Sequence, residues 1–296
     1  QSVTLSGDIR QTARELSCAL VVPRDGSTEV PPLEEGAWLT LQTEGKPRFF
    51  GPLLQCTTAS QSFVADLSAL DRGRFLAGNQ GYYQFVGATP EEAAALICTD
   101  FGIPVASLAS TGVKVSRSFP GKSLDTILRT MYSLAGNQNG KRYLLRFNGE
   151  GALEVVEKPA SASLEIVRTM GVSNTWEITG LSNSAAIYTD DGALVRRVED
   201  QASLALNGRL EHVVVQRAGE DAGAEAQAWL ADNGLQQQLT VEVLDPPLDL
   251  ITGAAVLLRD TGSGVSGLFW VDSDTHTWKN GLHLGKFSLN FRNLME

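Results

Sequence analysis

His212, His276 and His283 are the only histidines in the 296 residues. Two of them are spaced for joint chemistry, because His276 and His283 flank Thr277-Trp278-Lys279-Asn280-Gly281. An Asn-Gly pair between apolar runs predicts a hairpin, which brings both rings onto neighbouring strands with Asp272 or Asp274 nearby. That could make a two-ligand metal site, but zinc wants three or four protein groups. The spacing supplies no third ligand, so hydrogen-bonded structural imidazoles are the better reading.

Other chemistry-bearing patterns resolve in the same way. Gly262-Ser263-Gly264-Val265-Ser266-Gly267 matches the dinucleotide fingerprint, which works by aiming a helix N-terminus at pyrophosphate. Here Leu268-Phe269-Trp270-Val271 follows and reads as strand, so a hairpin loop is expected. Gly121-Lys122-Ser123 opens a helix, yet a phosphate-cradling loop needs glycine where Ser116 stands. The acid pairs Glu34/Glu35 and Asp190/Asp191 fall in turns, where acids serve solvation and backbone hydrogen bonding. No Gly-x-Ser-x-Gly elbow exists. Cys18, Cys56 and Cys98 are far apart and odd in number, which fits buried, reduced thiols better than a disulfide framework. No catalytic, cofactor-binding or metal residue is assigned, and no enzyme is expected.

The elements around these residues are mostly strands. Hydrophobic content of 43% with 20% charged residues describes a globular chain able to bury a real core. Net charge of −10 argues against nonspecific nucleic-acid binding, which needs clustered Lys and Arg. No run of eighteen apolar residues is present, so no membrane-spanning helix is expected. Residues 1–86 read as all-β, with strands over 3–6, 10–22, 38–43, 47–59, 62–69 and 82–86. Thr89-Pro90-Glu91-Glu92 is a capping box with proline in the first turn, and predicts a helix to Phe101 that stops at Gly102. A strand over 113–119 and a helix capped by Ser123 follow, with Leu124, Ile127, Leu128, Met131, Leu134 and Ala135 on one face. Strands over 143–147 and 153–157 complete a small α/β unit. Beyond Ile166 strands are expected at 176–180, 186–189, 193–198 and 210–216. Asp200 caps a short helix, and another helix covers 222–233.

The beginning and the end of the chain carry a faint repeat. Leu16–Val22 leads to Pro31-Pro32-Leu33-Glu34-Glu35-Gly36 and then to apolar runs at 37–41, 49–53 and 63–70. Residues 239–244 lead to Pro246-Pro247-Leu248-Asp249, Gly253, and apolar runs at 254–258, 268–271 and 282–289. Both read strand, double-proline turn, glycine, strand, strand, strand, and such internal repeats dictate architecture.

Three stretches resemble the baseplate hub proteins of contractile phage tails and phage-tail-like particles, most closely the hub of PBSX-type prophage tails. They are Ser6-Gly7-Asp8-Ile9-Arg10-Gln11-Thr12-Ala13-Arg14, the middle run from Thr89 through Pro104 with Phe119-Pro120-Gly121-Lys122-Ser123-Leu124, and Phe269 through Trp278 with Asn280-Gly281 and His283. The likeness covers nearly the whole chain in order. It implies an α+β, mainly β fold with two similar tube-forming β-barrels, at 1–86 and 166–296, and a small α/β insert at 87–165. A helical excursion would interrupt the second barrel near 200–234. It further implies a homotrimer whose six barrels form a pseudo-sixfold ring, adapting a hexameric tail tube to a trimeric central spike. Implied partners are the tail tube protein, the spike, the tape-measure protein and other baseplate proteins, without a membrane in the free state or specific nucleic-acid binding. The implied location is the baseplate of a virion or tail-like particle, assembled in the bacterial cytoplasm, with no cofactor. Trp38, Leu39, Phe49, Phe50, Val256, Leu258, Phe269 and Trp270 are the expected inter-subunit or tube-contact residues, on strands that also fill the barrel cores.

The rival readings are a tail-associated cell-wall hydrolase and a carbohydrate-binding tail-tip module. The first lacks a catalytic signature, and the second would show more aromatics than the 7% present here. A spike-fused secretion-system hub would continue into a repetitive β-helix, and none is visible.

Overall fold

The computed structural model describes residues 2–22, 33–34, 36–59, 63–216 and 222–291. Pro31, Pro32 and Glu35 of the first double-proline turn lie outside them. The chain forms two compact units, residues 1–173 with 240–296, and residues 174–239. Strand accounts for 52% and helix for 18%, which makes the protein α+β and mainly β.

In the larger unit the first strands are β1 (Ser2–Asp8), β2 (Glu15–Val21), β3 (Trp38–Thr43), β4 (Lys46–Thr58) and β5 (Val64–Leu70). The expected strand over 10–22 is shorter because residues 8–11 turn: Gln11 N–H donates to the Asp8 carbonyl, and Arg10 N–H donates to the Asp8 carboxylate. Helix α1 (Gly73–Gly78), invisible to periodicity at six residues, leads to β6 (Gln80–Ala88). Helix α2 (Pro90–Asp100) carries the expected capping box, with Thr89 and Glu92 each accepting from the other's backbone N–H. β7 (Val105–Leu108) was not foreseen. β8 (Val115–Ser123) extends past the predicted 113–119 and pairs with β6. Helix α3 (Leu124–Asn139) buries Leu124, Ile127, Leu128, Met131 and Ala135 as its pattern predicts. Ser123 does not cap it through a backbone N–H; its hydroxyl instead meets the Thr126 hydroxyl at 2.7 Å. β9 (Tyr143–Phe147) and β10 (Leu153–Glu157) form a hairpin that joins β7 in a three-stranded sheet. Both longer helices pack on this insert through one apolar core that includes Ile97, Leu128, Met131 and Leu153.

After β11 (Leu164–Ile166), strand β12 (Gly171–Glu177) lies earlier than the expected 176–180. The smaller unit holds β13 (Ser184–Thr189), β14 (Leu194–Glu199), helix α4 (Gln201–Asn207), β15 (Glu211–Gln216) and helix α5 (Gly223–Asp232). Asp200 caps α4 as expected, accepting from Ser203 N–H. Strand order is β14-β13-β15, and Ala185, Ile187, Val214, Ala222 and Ala226 form its core. The chain then runs through β16 (Gln236–Leu244), β17 (Ala255–Asp260), β18 (Val265–Lys279) and β19 (Leu282–Asn290).

The repeat seen in the sequence is a structural repeat. β2 to β5 lie in the order β2-β5-β4-β3, and β16 to β19 in the order β16-β19-β18-β17. The irregularities match as well. The β4–β5 ladder slips by one residue between Leu53 and Gln55, and the β18–β19 ladder slips between Val271 and Ser273. Such bulges bend a strand and raise its twist. In the first repeat Ala37 N–H donates to the Glu34 carbonyl, and Leu53 N–H to the Ala37 carbonyl. In the second, Ala254 donates to Ile251 and Val271 to Ala254. Gly36 and Gly253, the glycine of each repeat, have φ of +77° and +85°, a region that a Cβ disfavours. Val22 donates to Phe63 as Asp245 donates to His283. The two repeats share one sheet, because β1 pairs with β2 on one side and with β18 on the other. The sheet path runs openly from β12 to β3, so among the described residues neither of the two barrels expected from sequence is closed.

Candidate assembly surface

The junction between the repeats is built around a buried ion pair. β1 sets Gly7 opposite Asp274 of β18. Arg14, just before β2, reaches across that glycine and donates twice to the Asp274 carboxylate, at 2.9 and 2.5 Å. A side chain at position 7 would collide with this guanidinium, since a Cβ there would lie 2.6 Å from Arg14 Nη1. Asp274, with no solvent exposure, also accepts from the Thr252 backbone N–H and hydroxyl, both at 2.7 Å. The carboxylate is thereby fully satisfied, as burial of a charge demands. Arg129 of α3 donates to the Ile9 carbonyl at 3.0 Å and reaches the Thr12 hydroxyl, tying the insert to the same turn. The N-terminal motif is therefore a clasp: glycine for close approach, arginine for the ion pair.

His276 and His283 do meet, as the hairpin pattern predicts. Nδ1 of His276 lies 3.0 Å from Nε2 of His283, while Nε2 of His276 faces the Leu250 carbonyl at 3.0 Å. Trp278 stacks on His283 with centroids 4.7 Å apart. Burial holds both imidazoles below their ordinary pKa, which favours neutral rings that share one hydrogen bond. Among the described residues, no group of three or more His, Cys, Asp or Glu could hold a metal ion. Asp71, just after β5, is the other buried acid among the described residues. Desolvation lifts its pKa to about 7, against hydrogen bonds that include the one from Gly73 N–H.

The eight residues expected at contacts divide by burial. Phe49, Val256, Leu258 and Phe269 point into the chain's own core. Leu39 is half-buried in the first repeat. Trp38 keeps 46% of its surface exposed and stacks on Phe50 at 4.7 Å. The Arg72 guanidinium covers both rings at 5.2 and 5.3 Å, within cation–π range. The insert turn closes over this cluster, because a Cβ on Gly151 would lie 2.7 Å from Phe50. Trp270 is half-buried and donates its indole N–H to the Pro159 carbonyl at 2.8 Å. Trp38 pairs with Pro52, and Ala255 with Trp270. Each repeat thus has one tryptophan at the same strand pair, on opposite strands. The GxGxxG stretch is the β17–β18 turn, where Asp260 accepts from Ser263. It opens no helix. Cys98 is buried, which raises its pKa to about 11, whereas Cys56 is exposed on β4.

Sequence reasoning did not single out the Arg14–Asp274 pair, although both residues stood in the quoted stretches. The available signal was an Arg just before one strand and an Asp within another, in two motifs that the repeat would lay side by side.

The fold defined by these features is that of phage tail proteins of the baseplate hub type. Over its full length the chain superposes on the tail protein of prophage MuSo2 from Shewanella oneidensis, with TM-score 0.74 and 14% identity, covering 95% of that chain. It also superposes, with TM-score 0.55 and 7% identity, on the E. coli c3393 protein, covering 97% of this chain and 72% of that one. The latter is described as a type VI secretion component with structural similarity to the T4 tail proteins gp27 and gp5. The chain belongs to the YqbQ-like family, whose model matches residues 3–290. It is 25% identical to the phage-like element PBSX protein XkdQ of Bacillus subtilis, across 100% of this chain and 93% of that protein.

Proposed function

We propose that the protein is the structural hub of a contractile-tail baseplate, acting as a homotrimer. Three copies of a two-repeat chain present six similar surfaces, which match a hexameric tail tube, while the true threefold axis suits a trimeric spike. The observation that carries this reading is the shared strand order and bulge of the two repeats, laid side by side in one sheet. On this reading residues 1–86 and 166–296 are the two tube domains, and 87–165 is an insert facing outward. Barrels close only in the ring, when arcs from neighbouring repeats join. Trp38, Phe50, Leu39 and Trp270 contribute to contacts, and the buried Phe49, Val256, Leu258 and Phe269 hold the strands that present them. Tape-measure protein, tube and other baseplate proteins are the partners, and the assembled particle is the location. Part of the −10 charge lines the bore, where it keeps passing DNA or protein from sticking.

Light scattering at high protein concentration, with negative-stain imaging, tests the proposal. A mass near three times 31.7 kDa and six-lobed rings are expected. A stable dimer, or a ring with a strongly basic bore, would overturn it.

A further inference from the structure

The two repeats are equivalent in strand order, yet one of their edges is covered and the other is not. In the second repeat, residues 273–279 of β18 pair with β19 on one side and β1 on the other. In the first repeat, the matching end of β4 pairs with β5, and its other side has no strand among the described residues. Leu54, Cys56, Thr57 and Thr58 there are exposed, whereas Asp274 and His276 at the covered edge are 0% and 2% exposed. The strand that corresponds to β1 is β12. It flanks β16 as β1 flanks β2, it ends the sheet path, and Trp176 on it is 66% exposed. Among the described residues these two strand edges thus have no neighbouring strand, and such edges template further pairing. They correspond to the two strands that already pair inside the chain.

We infer that β12 of one copy pairs antiparallel with residues 55–58 of β4 in the next copy, repeating the β1–β18 junction between chains. The inference rests on the proposed trimer and deepens it by naming the strands and their register. Val22 and Asp245 make matching bonds to Phe63 and His283, so Ala19 of β2 corresponds to Glu242 of β16. Ser2 lies opposite Ala19, and Met170 N–H donates to the Glu242 carbonyl, so Ser2 corresponds to Met170 and Gly7 to Thr175. The matching bulges equate Leu53 with Val271 and Cys56 with Asp274. Gly7 faces Asp274 within the chain; Thr175 therefore faces Cys56 of the neighbour. The contact is head-to-tail, because β12 and β4 are different surfaces, and such contacts must close into a ring to avoid a filament.

The native Cys56 makes the register measurable. Directly opposed residues of an antiparallel pair have Cβ atoms about 4.5–5.5 Å apart, within reach of a short bis-maleimide and close to disulfide range. Thr175→Cys in the full chain should therefore cross-link into covalent species up to trimer, under mild oxidation or with the bis-maleimide. The yield should fall at least fivefold in the T175C/C56S double variant, in the parent, and in Asn174→Cys. Circular dichroism checks that each variant folds. A T175C protein that is trimeric by light scattering but shows no Cys56-dependent cross-link overturns this strand pairing and leaves the hub reading standing. Equal cross-linking from position 174 overturns the register. A chain that stays monomeric and uncross-linked under the same conditions overturns the pairing and the trimer together.

Discussion

The two repeats of this chain follow one plan and are stabilised by different chemistry. The second has its long strand flanked on both sides, and the flank is sealed by Arg14, Asp274, Thr252 and the His276–His283 pair. The first has the same strand, the same bulge and the same preceding turn, but Cys56 stands where Asp274 would be, exposed and without an arginine. What the difference teaches is that strand order follows the shared apolar pattern, whereas polar chemistry is added where an edge becomes interior. A buried carboxylate is tolerable only with a partner and satisfied hydrogen bonds; an exposed thiol needs neither.

That contrast can be broken by substitution. The largest effect is expected at Asp274→Ala, which strands Arg14 beside a cavity and should cost about 3–5 kcal/mol in urea unfolding. Cys56→Ala at the matching position should cost no more than about 0.5 kcal/mol in the isolated chain. Equal losses would mean that the two edges are not chemically distinct. The repeat glycines sharpen the comparison next. Gly36→Ala places a Cβ at positive φ with nothing within 4 Å and should cost about 1–2 kcal/mol. Gly253→Ala adds a collision of its Cβ with Leu144 Cδ2 and should lower the thermal midpoint further.

Proton linkage separates the repeats too. His276 and His283 are held below 6.5 by burial, so the unfolded chain binds more protons once pH drops below that value. Their contribution is present above about pH 6.5 and is lost as pH falls. Asp71 has the opposite sign. Its carboxyl is lifted from 3.8 to about 7, so the folded chain holds the extra proton, and stability declines as pH rises between those values. Asp71→Asn should raise the melting midpoint at pH 8 and leave it near the parent's at pH 3.5. A gain of the same size at both pH values would refute the buried-acid account. A modest effect is expected at the tryptophans. Trp270→Phe removes the indole bond to Pro159 and should cost about 1 kcal/mol, and Trp38→Phe, which keeps a ring on Phe50, should cost less.

Much of this architecture was legible in residue order. The capping box at Thr89-Pro90-Glu91-Glu92, the apolar face of α3 and the Asn280-Gly281 hairpin are local signals, and local signals survive folding. The repeat was legible for the same reason: Gly36 and Gly253 sit at positive φ, and the apolar runs after them alternate alike. Short elements such as α1 and β7 were not, since six or four residues carry too little periodicity to register. Nor was the late start of β2, which depends on Asp8 gathering the turn that precedes it.

What the residues alone determined is a mainly β chain whose two ends repeat one strand pattern around an α/β insert, because period and turn chemistry act over a few neighbours. What only the tertiary structure decided is which edges are covered. Arg14 and Asp274 are 260 residues apart, and their pairing exists only because β1 lies between the repeats. Whether a strand edge is interior or open is a property of the neighbouring strand, and no stretch of sequence contains its own neighbour.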